Sequence, residues 1–430
     1  MNVFLDSIGC RLNQSEIERM ACQFRQLGHR LVATPEESDL VVINTCTVTA
    51  AGASDSRSRA RQAHRRNPQA QIVLTGCWSS LEAEQARTLP GVVRIVPNHL
   101  KDQLVAHLLN MQAEGLDREP MARQPIPGTR MKTRAFIKAQ EGCDNRCAYC
   151  VATIARGRAS STPPEIVLRD VRSAVAGGVK EAVLTGVQLS AYGQDFSDGT
   201  DLTTLVHEVL AKTEIPRLRL SSLEPWGLPG DFFELWQDPR LCRHLHLPLQ
   251  SGCRETLRRM ARPIQPEAYA GLVSRARAAI PDLAVTTDVI VGFPGETARE
   301  FDESLSFIQH MQFSGAHVFV FSPRPGTPAW QFPGRIPSPL ARARSRKVRQ
   351  AVAHSANAFR SRFVGQTLDV LWETTTKAPG NGGKLTGLSD NYLRVSALAS
   401  ESLQNRICSV NILQVKDQAL IGKLASEGAA

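Results

Sequence analysis

Over roughly its first hundred residues the chain alternates short apolar runs with helical patterns, and few architectures accept that rhythm. NVFLDSI precedes SEIERMACQFRQLG, DLVVINT precedes an arginine-rich segment, QIVLTG precedes SLEAEQARTL, and VVRIVP closes the series. Strands and helices repeating in this way bury both faces of a parallel sheet. Three of the turns carry a cysteine directly after the strand: Cys10 in SIGCRLNQSE, Cys46 in VINTCTVT and Cys77 in LTGCWSS. Ligands of open α/β sheets sit outside the carboxyl ends of the strands, so these thiols are expected to converge despite their distance in sequence. Ordinary burial of small cysteines is the plain alternative, and it is the preferred reading for Cys22, which lies within a helical pattern.

Residues 112–132, rich in Pro, Gly and Met, read as a linker after a first domain spanning 1–111. A second series then begins, with strand candidates RAFIKAQ, EAVLTGV, RLRLSS, HLHLPLQ, AVTTDVIVGF and AHVFVFS separated by patterns such as PPEIVLRDVRSAVAG. Six βα units predict an incomplete barrel over 133–362, trailing into a long basic helix. The tail, 363–424, turns to strands and is expected to close as a small β-barrel. The predicted fold class is α/β: a parallel α/β domain, a partial (β/α)6 barrel and a carboxy-terminal β-barrel.

The loop EGCDNRCAYC follows the first barrel strand and gathers Cys143, Cys147 and Cys150 at CxxxCxxC spacing. Structural zinc usually fills four positions with Cys or His, and no fourth ligand stands in register here. A cubane iron–sulfur cluster on three thiolates keeps one iron free of protein, where a substrate or cofactor binds directly. Structural zinc remains the alternative.

CDNRCAYC placed after the first strand of a βα barrel resembles the cluster motif of radical S-adenosylmethionine enzymes, with Tyr149 at the aromatic position before the third cysteine. In that family the open iron chelates S-adenosylmethionine, and one electron cleaves its sulfonium to give a 5′-deoxyadenosyl radical. GCRLNQSE, VINTCTVT and LTGCWS resemble the three cysteine motifs of the methylthiotransferase branch. The resemblance implies two [4Fe-4S] clusters, one on Cys143, Cys147 and Cys150 and an auxiliary one on Cys10, Cys46 and Cys77 whose open iron takes a sulfur species. It also implies that the tail is a TRAM-like RNA-binding domain.

Around the barrel mouth the resemblance and the strand ends nominate cofactor contacts. Gly186 and Gln188 in TGVQ follow the second strand, Ser221, Ser222 and Glu224 the third, and Gln250 and Ser251 the fourth. Asp288, Gly292 and Glu296 in TDVIVGFPGET accompany the fifth, and Arg324 in FSPRPGTPAW follows the sixth as a fixed grip for a carboxylate or phosphate. Tight turns, helix caps and ion pairs are the rival roles. Two positions depart from the family pattern: Thr153 stands where most relatives have Pro, and Phe321 where they have Tyr.

Hydrophobic residues make up 42% and charged ones 21%, and no apolar run approaches the roughly 18 residues of a membrane span. The opening MNVFLDSIGC has no basic leader, so ten cysteines in this chain argue for metal or redox chemistry in a reducing cytoplasm. The net charge of +10 concentrates in RSRARQAHRR (57–66) and LARARSRKVR (340–349), which suit a polyanion. RLRLSSLEP, HLHLPLQSG and AVTTDVIVGFPGET look most like the enzymes that methylthiolate N6-threonylcarbamoyladenosine at position 37 of tRNA. Isopentenyladenosine in tRNA and a ribosomal protein are the alternative substrates, and a non-catalytic, metal-stabilised RNA-binding protein is the alternative class. Cys242, Cys253 and Cys408 carry no assignment.

Overall fold

The computed structural model describes residues 1–112, 116, 122–128, 133–377 and 383–425. The amino-terminal domain is a parallel sheet of β1 (Asn2–Ser7), β2 (Arg30–Leu31), β3 (Leu40–Thr45), β4 (Gln71–Gly76) and β5 (Val92–Val96) in the order β2-β1-β3-β4-β5. Every residue of β3 is buried, as a central strand covered on both faces requires. Helix α1 (Arg11–Gln26) buries Ile17, Met20, Ala21 and Phe24, an i, i+3, i+4, i+7 stripe that seats it on the sheet. The opposite face takes α2 (Ala50–Arg66), whose Ala53, Ala60 and Ala63 allow close approach. Short helices α3 (Cys77–Leu81) and α4 (Ala83–Arg87) complete this layer, while α5 (Leu104–Leu108) packs beside α1 on the first face. Much of the expected linker lies outside the described residues.

Six parallel strands form the central unit: β6 (Arg134–Lys138), β7 (Glu181–Thr185), β8 (Arg217–Leu220), β9 (His244–His246), β10 (Ala284–Val291) and β11 (Gly315–Val320). They make two three-stranded ladders, joined by isolated bridges Leu218↔Leu241 and Ser222↔His246. Among the described residues no ladder links β6 to β11, so the barrel is open, as the six-unit pattern predicts. Helices α6 (Ala152–Arg156), α7 (Pro164–Ala176), α8 (Leu202–Lys212), α9 (Arg254–Arg259), α10 (Pro266–Ala279) and α11 (Ala298–Met311) follow in turn. Alternate residues such as Ala135 and Ile137 of β6 join the core beneath them. Helix α12 (Ser338–Ser361) is the long basic helix; it buries Arg344, Val348 and Val352 against the barrel and exposes Arg342, Arg346 and Lys347.

The tail closes into a barrel of β12 (Thr367–Lys377), β13 (Gly383–Ser389), β14 (Arg394–Ala399), β15 (Ile407–Lys416) and β16 (Ala419–Leu424), ordered β12-β13-β14-β16-β15. It docks on the amino ends of the central strands, the face opposite the cysteine loop. There Arg217 donates to the carbonyls of Leu388 and Asp369, Arg219 to those of Ser389 and Asp390, and Arg243 pairs with Asp390 at 2.6 Å. Among the described residues no helix is long and apolar enough to cross a membrane.

Candidate functional site

Strands β1, β3 and β4 are adjacent and parallel, with Ser7 opposite Asn44 and Thr45 opposite Gly76. That register leaves Cys10, Cys46 and Cys77 side by side at one sheet edge. Each begins or precedes a helix: Cys10 is the N-cap of α1, Cys46 lies just ahead of α2, and Cys77 opens α3. None of these helices has an acidic residue in its first turn, so their positive ends favour negative charge at the site. Gly9, at φ +102°, leaves room that any Cβ would take from the Cys46 sulfur, and Gly52 borders the same atom. The thiols are near enough to perturb one another: burial, then Cys10 and Cys77 among its neighbours, pushes Cys46 up to about 11. Cys10 is exposed at the surface; desolvation by the surrounding protein raises its thiol against the pull of Arg156. A bound metal cation would be needed to make these groups thiolates.

The second trio sits in the loop after β6. Gly142, at φ +67°, packs on the Arg158 carbonyl, where a side chain would collide. The Asn145 amide points at the Cys143 sulfur and the Ala152 amide at the Cys150 sulfur, each at 3.4 Å. Burial pushes Cys150 up to about 12 and raises Cys143 and Cys147 less. Thr153 donates its hydroxyl to the carbonyls of Cys143 (3.0 Å) and Asn145 (3.2 Å), so the residue that departs from the family pattern pins the loop. Phe321, the other departure, packs edge-on to Phe293 beside Ala148.

Among the described residues no three Cys, His, Asp or Glu groups converge as tightly as a single metal ion demands. Zinc thiolates about 2.3 Å from their metal would lie within roughly 4 Å of one another. A four-iron cubane sets its thiolates farther apart, and the amide-to-sulfur contacts and the glycine cradle fit such a group.

Of the nominated contacts, Gln188 comes closest to the second trio: its Oε1 accepts from the Cys143 thiol at 3.1 Å and from Asn145 at 2.8 Å. Gly186 lies against Gln140, and its amide donates to Ser221. Glu224 pairs at 2.7 Å with Arg262, a residue the sequence reading missed. Arg262 is buried, stacks over Trp226 with its guanidinium 4.4 Å from the ring centroid, and reaches the Cys147 sulfur at 3.9 Å. Ser222 bridges β8 to β9, and Gln250 adopts φ +69°, a strained conformation at the mouth of the barrel. Asp288 faces His246 at 3.4 Å. Ser251 is buried against Ser304, and Glu296 accepts from the Gly292 amide and from Arg344, both packing roles. Arg324 is buried, its Nε and Nη2 have no hydrogen-bond partner among the described residues, and its loop is tied to the Cys143–Cys150 loop where the Ala329 amide donates to the Ala148 carbonyl at 2.8 Å. Cys22, Cys242, Cys253 and Cys408 belong to neither trio; Cys242 lies 3.9 Å from Glu181 on the opposite face.

One side chain ties the trios together. Helix α6 starts two residues after Cys150 and delivers Arg156 to Asn13 (2.5 Å), Glu16 (2.8 Å) and Glu141 (2.5 Å). Asn13 in turn accepts from the Cys10 thiol at 3.6 Å, and Asn98 bridges Cys77 to the Ala155 carbonyl. Burial works against the charge of Arg156, yet Glu16, Cys77, Cys10 and Glu141 keep it protonated.

Residues 2–97 match a family described as Uncharacterized protein family UPF0004, and residues 137–308 match the Radical SAM superfamily. The chain is 33% identical to the threonylcarbamoyladenosine tRNA methylthiotransferase MtaB of Bacillus subtilis (strain 168), over 96% of this chain and 94% of that protein. It is 32% identical to the tRNA-2-methylthio-N(6)-dimethylallyladenosine synthase of Geobacillus kaustophilus, over 99% and 82%. Among solved structures, the radical S-adenosylmethionine methyltransferase TsrM from Kitasatospora setae shares the fold at a TM-score of 0.57 and 15% identity, covering 76% of each chain. With two thiol trios at the mouths of two parallel sheets, and relatives of this likeness along nearly its whole length, the chain belongs to the radical S-adenosylmethionine methylthiotransferase family.

Proposed function

We propose that the chain methylthiolates C2 of N6-threonylcarbamoyladenosine at position 37 of tRNA. The observation that carries this reading is the 33% identity to MtaB over 96% of the chain, combined with two trios tied by Arg156. The dimethylallyladenosine relatives are nearly as similar, so isopentenyladenosine is the second reading, and the fingerprints quoted above favour the first. A ribosomal-protein substrate is not favoured by either relative. Membership in an enzyme family removes the alternative of a non-catalytic RNA-binding protein.

In this reading Cys143, Cys147 and Cys150 hold one [4Fe-4S] cluster, and Cys10, Cys46 and Cys77 hold another. When bound, the clusters supply an electron for cleaving S-adenosylmethionine and an open position for sulfur. The protein's own share is placement. Thr153 and the Asn145 amide fix the first loop, Gln188 orients Cys143 and Asn145, and Arg262 lends positive charge beside Cys147. Gly186 keeps the second strand end low enough for a cofactor to approach, and Ser222, Glu224, Gln250 and Asp288 line the remaining strand ends. Exposed Arg342, Arg346 and Lys347 on α12, and Arg61 and Arg65 on α2, offer positive charge to RNA phosphates. Part of the first basic block is spent internally: Arg59 pairs with Asp6, Arg66 with Glu36, and Arg57 stacks on Trp78. The division 1–111, 133–362 and 363–424 then separates sulfur handling, radical generation and RNA binding.

Nucleoside mass analysis of tRNA from cells with and without the gene tests the substrate. Loss of 2-methylthio-N6-threonylcarbamoyladenosine is expected; loss of the isopentenyl product instead would replace the first reading by the second. Cys147→Ala should abolish 5′-deoxyadenosine formation, whereas Cys46→Ala should spare it and lose methylthiolation. Full methylthiolation by Cys46→Ala would remove the auxiliary-site assignment.

A further inference from the structure

Between Glu303 and Asp369 the chain has no acidic residue and nine Lys or Arg. Arg344 and Arg362 of that run are spent on Glu296 and Asp282, whereas Arg335, Arg342, Arg346 and Lys347 are exposed and have no ion-pair partner among the described residues. Within the same run Trp330 stays 39% exposed, although so large a ring is ordinarily covered. Its place is fixed from both sides. The Ala329 amide donates at 2.8 Å to the carbonyl of Ala148, which lies between Cys147 and Cys150, and the Trp330 amide donates to Thr327 at 3.1 Å. Arg335 donates to the Trp330 carbonyl at 2.8 Å and lays its guanidinium 5.4 Å from the centre of the indole ring. Gly326, in the same loop, lies against Ile154, which is 51% exposed on the helix that follows Cys150. An open indole and an open aliphatic side chain, in a turn bonded to the cysteine loop, mark an interaction surface. Apolar area alone would suit a protein partner, but a run without any acid suits a phosphate chain. Unpaired RNA uses both features at once: its bases stack on aromatic rings backed by Arg, and its phosphates take the free guanidinium donors. Duplex RNA hides its bases, so the match is to a single-stranded loop.

We propose that Trp330, backed by Arg335, is the stacking platform for a loop base adjoining the nucleotide that is modified, with Arg342 and Arg346 leading the phosphates away from the cysteine loop. The inference deepens the tRNA reading and rests on it. Arg342 and Arg346 stand four residues apart on α12, so they present two charges along one face. Trp330 is a positioning residue: by holding a neighbouring base beside the Cys143–Cys150 loop it sets where the target base can enter.

The test titrates the reconstituted full-length protein with a synthetic anticodon stem-loop RNA at several salt concentrations, and with two further stem-loops in which position 36 or position 38 carries an abasic ribose. Trp330→Ala should weaken binding of the intact loop about tenfold and leave the slope of log affinity against log salt unchanged, while Trp330→Phe should recover most of the affinity. Indole emission should be quenched when wild type binds, and Trp330→Phe should lose most of that quench, since Trp78 and Trp372 are buried. Arg335→Gln should lower the salt slope by about one. Toward one of the two abasic loops, wild type and Trp330→Ala should bind alike. That equality separates lost stacking from a damaged fold, which would weaken every RNA. Equal affinity of wild type and Trp330→Ala for the intact loop overturns this inference alone; a defect that appears instead only when flavodoxin replaces dithionite as reductant would make the face a protein dock. Failure of wild type to bind either the stem-loop or whole tRNA overturns the tRNA reading along with it.

Discussion

Replacing Arg156 by Met probes whether the two trios are held as one unit. The guanidinium, 3% exposed, donates to Glu16, itself 1% exposed, and to Glu141 and Asn13. After its removal Glu16 keeps Lys101 at 2.7 Å and the Asn44 amide at 2.9 Å, and Glu141 keeps Lys138 at 3.1 Å. Neither carboxylate is abandoned, so the loss falls toward the lower end of a broken buried pair, about 3 kcal/mol. Urea unfolding of the iron-free chain measures it, and a cycle with Glu16→Gln isolates the pair, for which a coupling of about 2 kcal/mol is expected. In the reconstituted enzyme Arg156→Met should still form 5′-deoxyadenosine, because Thr153 and the loop amides hold the second trio without it. Methylthiolated tRNA should fall at least tenfold, since Asn13 and Cys10 lose their anchor. Arg156→Lys, which keeps the charge but cannot span three acceptors, should recover only part of both losses. A cost below about 1 kcal/mol together with undiminished product would refute the bridging argument.

Three further outcomes follow from single contacts. Gly9→Ala places a Cβ on the Cys46 sulfur at a φ of +102°, so iron content should fall toward that of one cluster while deoxyadenosine formation persists. Arg346→Gln and Lys347→Gln should each flatten the salt dependence of tRNA binding by about one unit of slope; an unchanged slope marks them as merely solvated. At the docked carboxy-terminal barrel, burial raises Glu181 and Asp390, but Arg219 and Arg243 override it and hold both carboxyls below their usual range. Their contribution is complete above the unfolded carboxyl pKa of about 4 and is lost as pH falls through the lower folded values, so X-ray scattering should show an unchanged compact shape from about pH 8 to 5. Loosening near pH 6 would instead implicate His244, which burial keeps neutral.

The parts of this structure that the sequence discloses are those with a local cause. Apolar runs followed by helical patterns specify β1, β3 and β4, and a cysteine just past each strand must reach the same sheet edge because parallel neighbours share one polarity. The CxxxCxxC loop is legible for the same reason. Arg156 was invisible in its role because its partners Asn13 and Glu16 come from another domain, and no periodicity relates them. Arg262 likewise carries no local signal: it follows a helix in RMARP, and only the fold sets it beside Glu224 and Cys147. Glu296 and Ser251 sit at strand ends as catalytic groups do, yet packing with Arg344 and Ser304 claims them. Thr153 shows the converse, since a departure from the family pattern turns out to supply a hydroxyl that pins two loop carbonyls.

The remaining question is why so much charge is buried at the end of the barrel remote from the Cys143–Cys150 loop. Arg11, Arg134 and Arg219 all lie within 6.0 Å of the Tyr392 ring, which also stacks on His244 at 4.4 Å. Tyr392 belongs to the carboxy-terminal barrel, Arg134 and Arg219 to the central one, and Arg11 to the amino-terminal domain, so a single phenol is the meeting point of all three. Burial would raise that phenol, but Arg11 and Arg134 pull it down, and its oxygen accepts the 2.9 Å bond from Arg11. Arg11 is the first residue of α1 and the immediate neighbour of Cys10. The contact that seats the third domain therefore also fixes the helix end that presents the Cys10 thiol. An apolar junction would have bound the domains as well, but without a preferred rotation; fixed guanidiniums directed at the carbonyls of residues 388–390 define one orientation. On the proposed reading, in which the carboxy-terminal barrel binds tRNA and each trio holds a cluster, that fixed angle between barrel and thiols is worth the desolvation it requires.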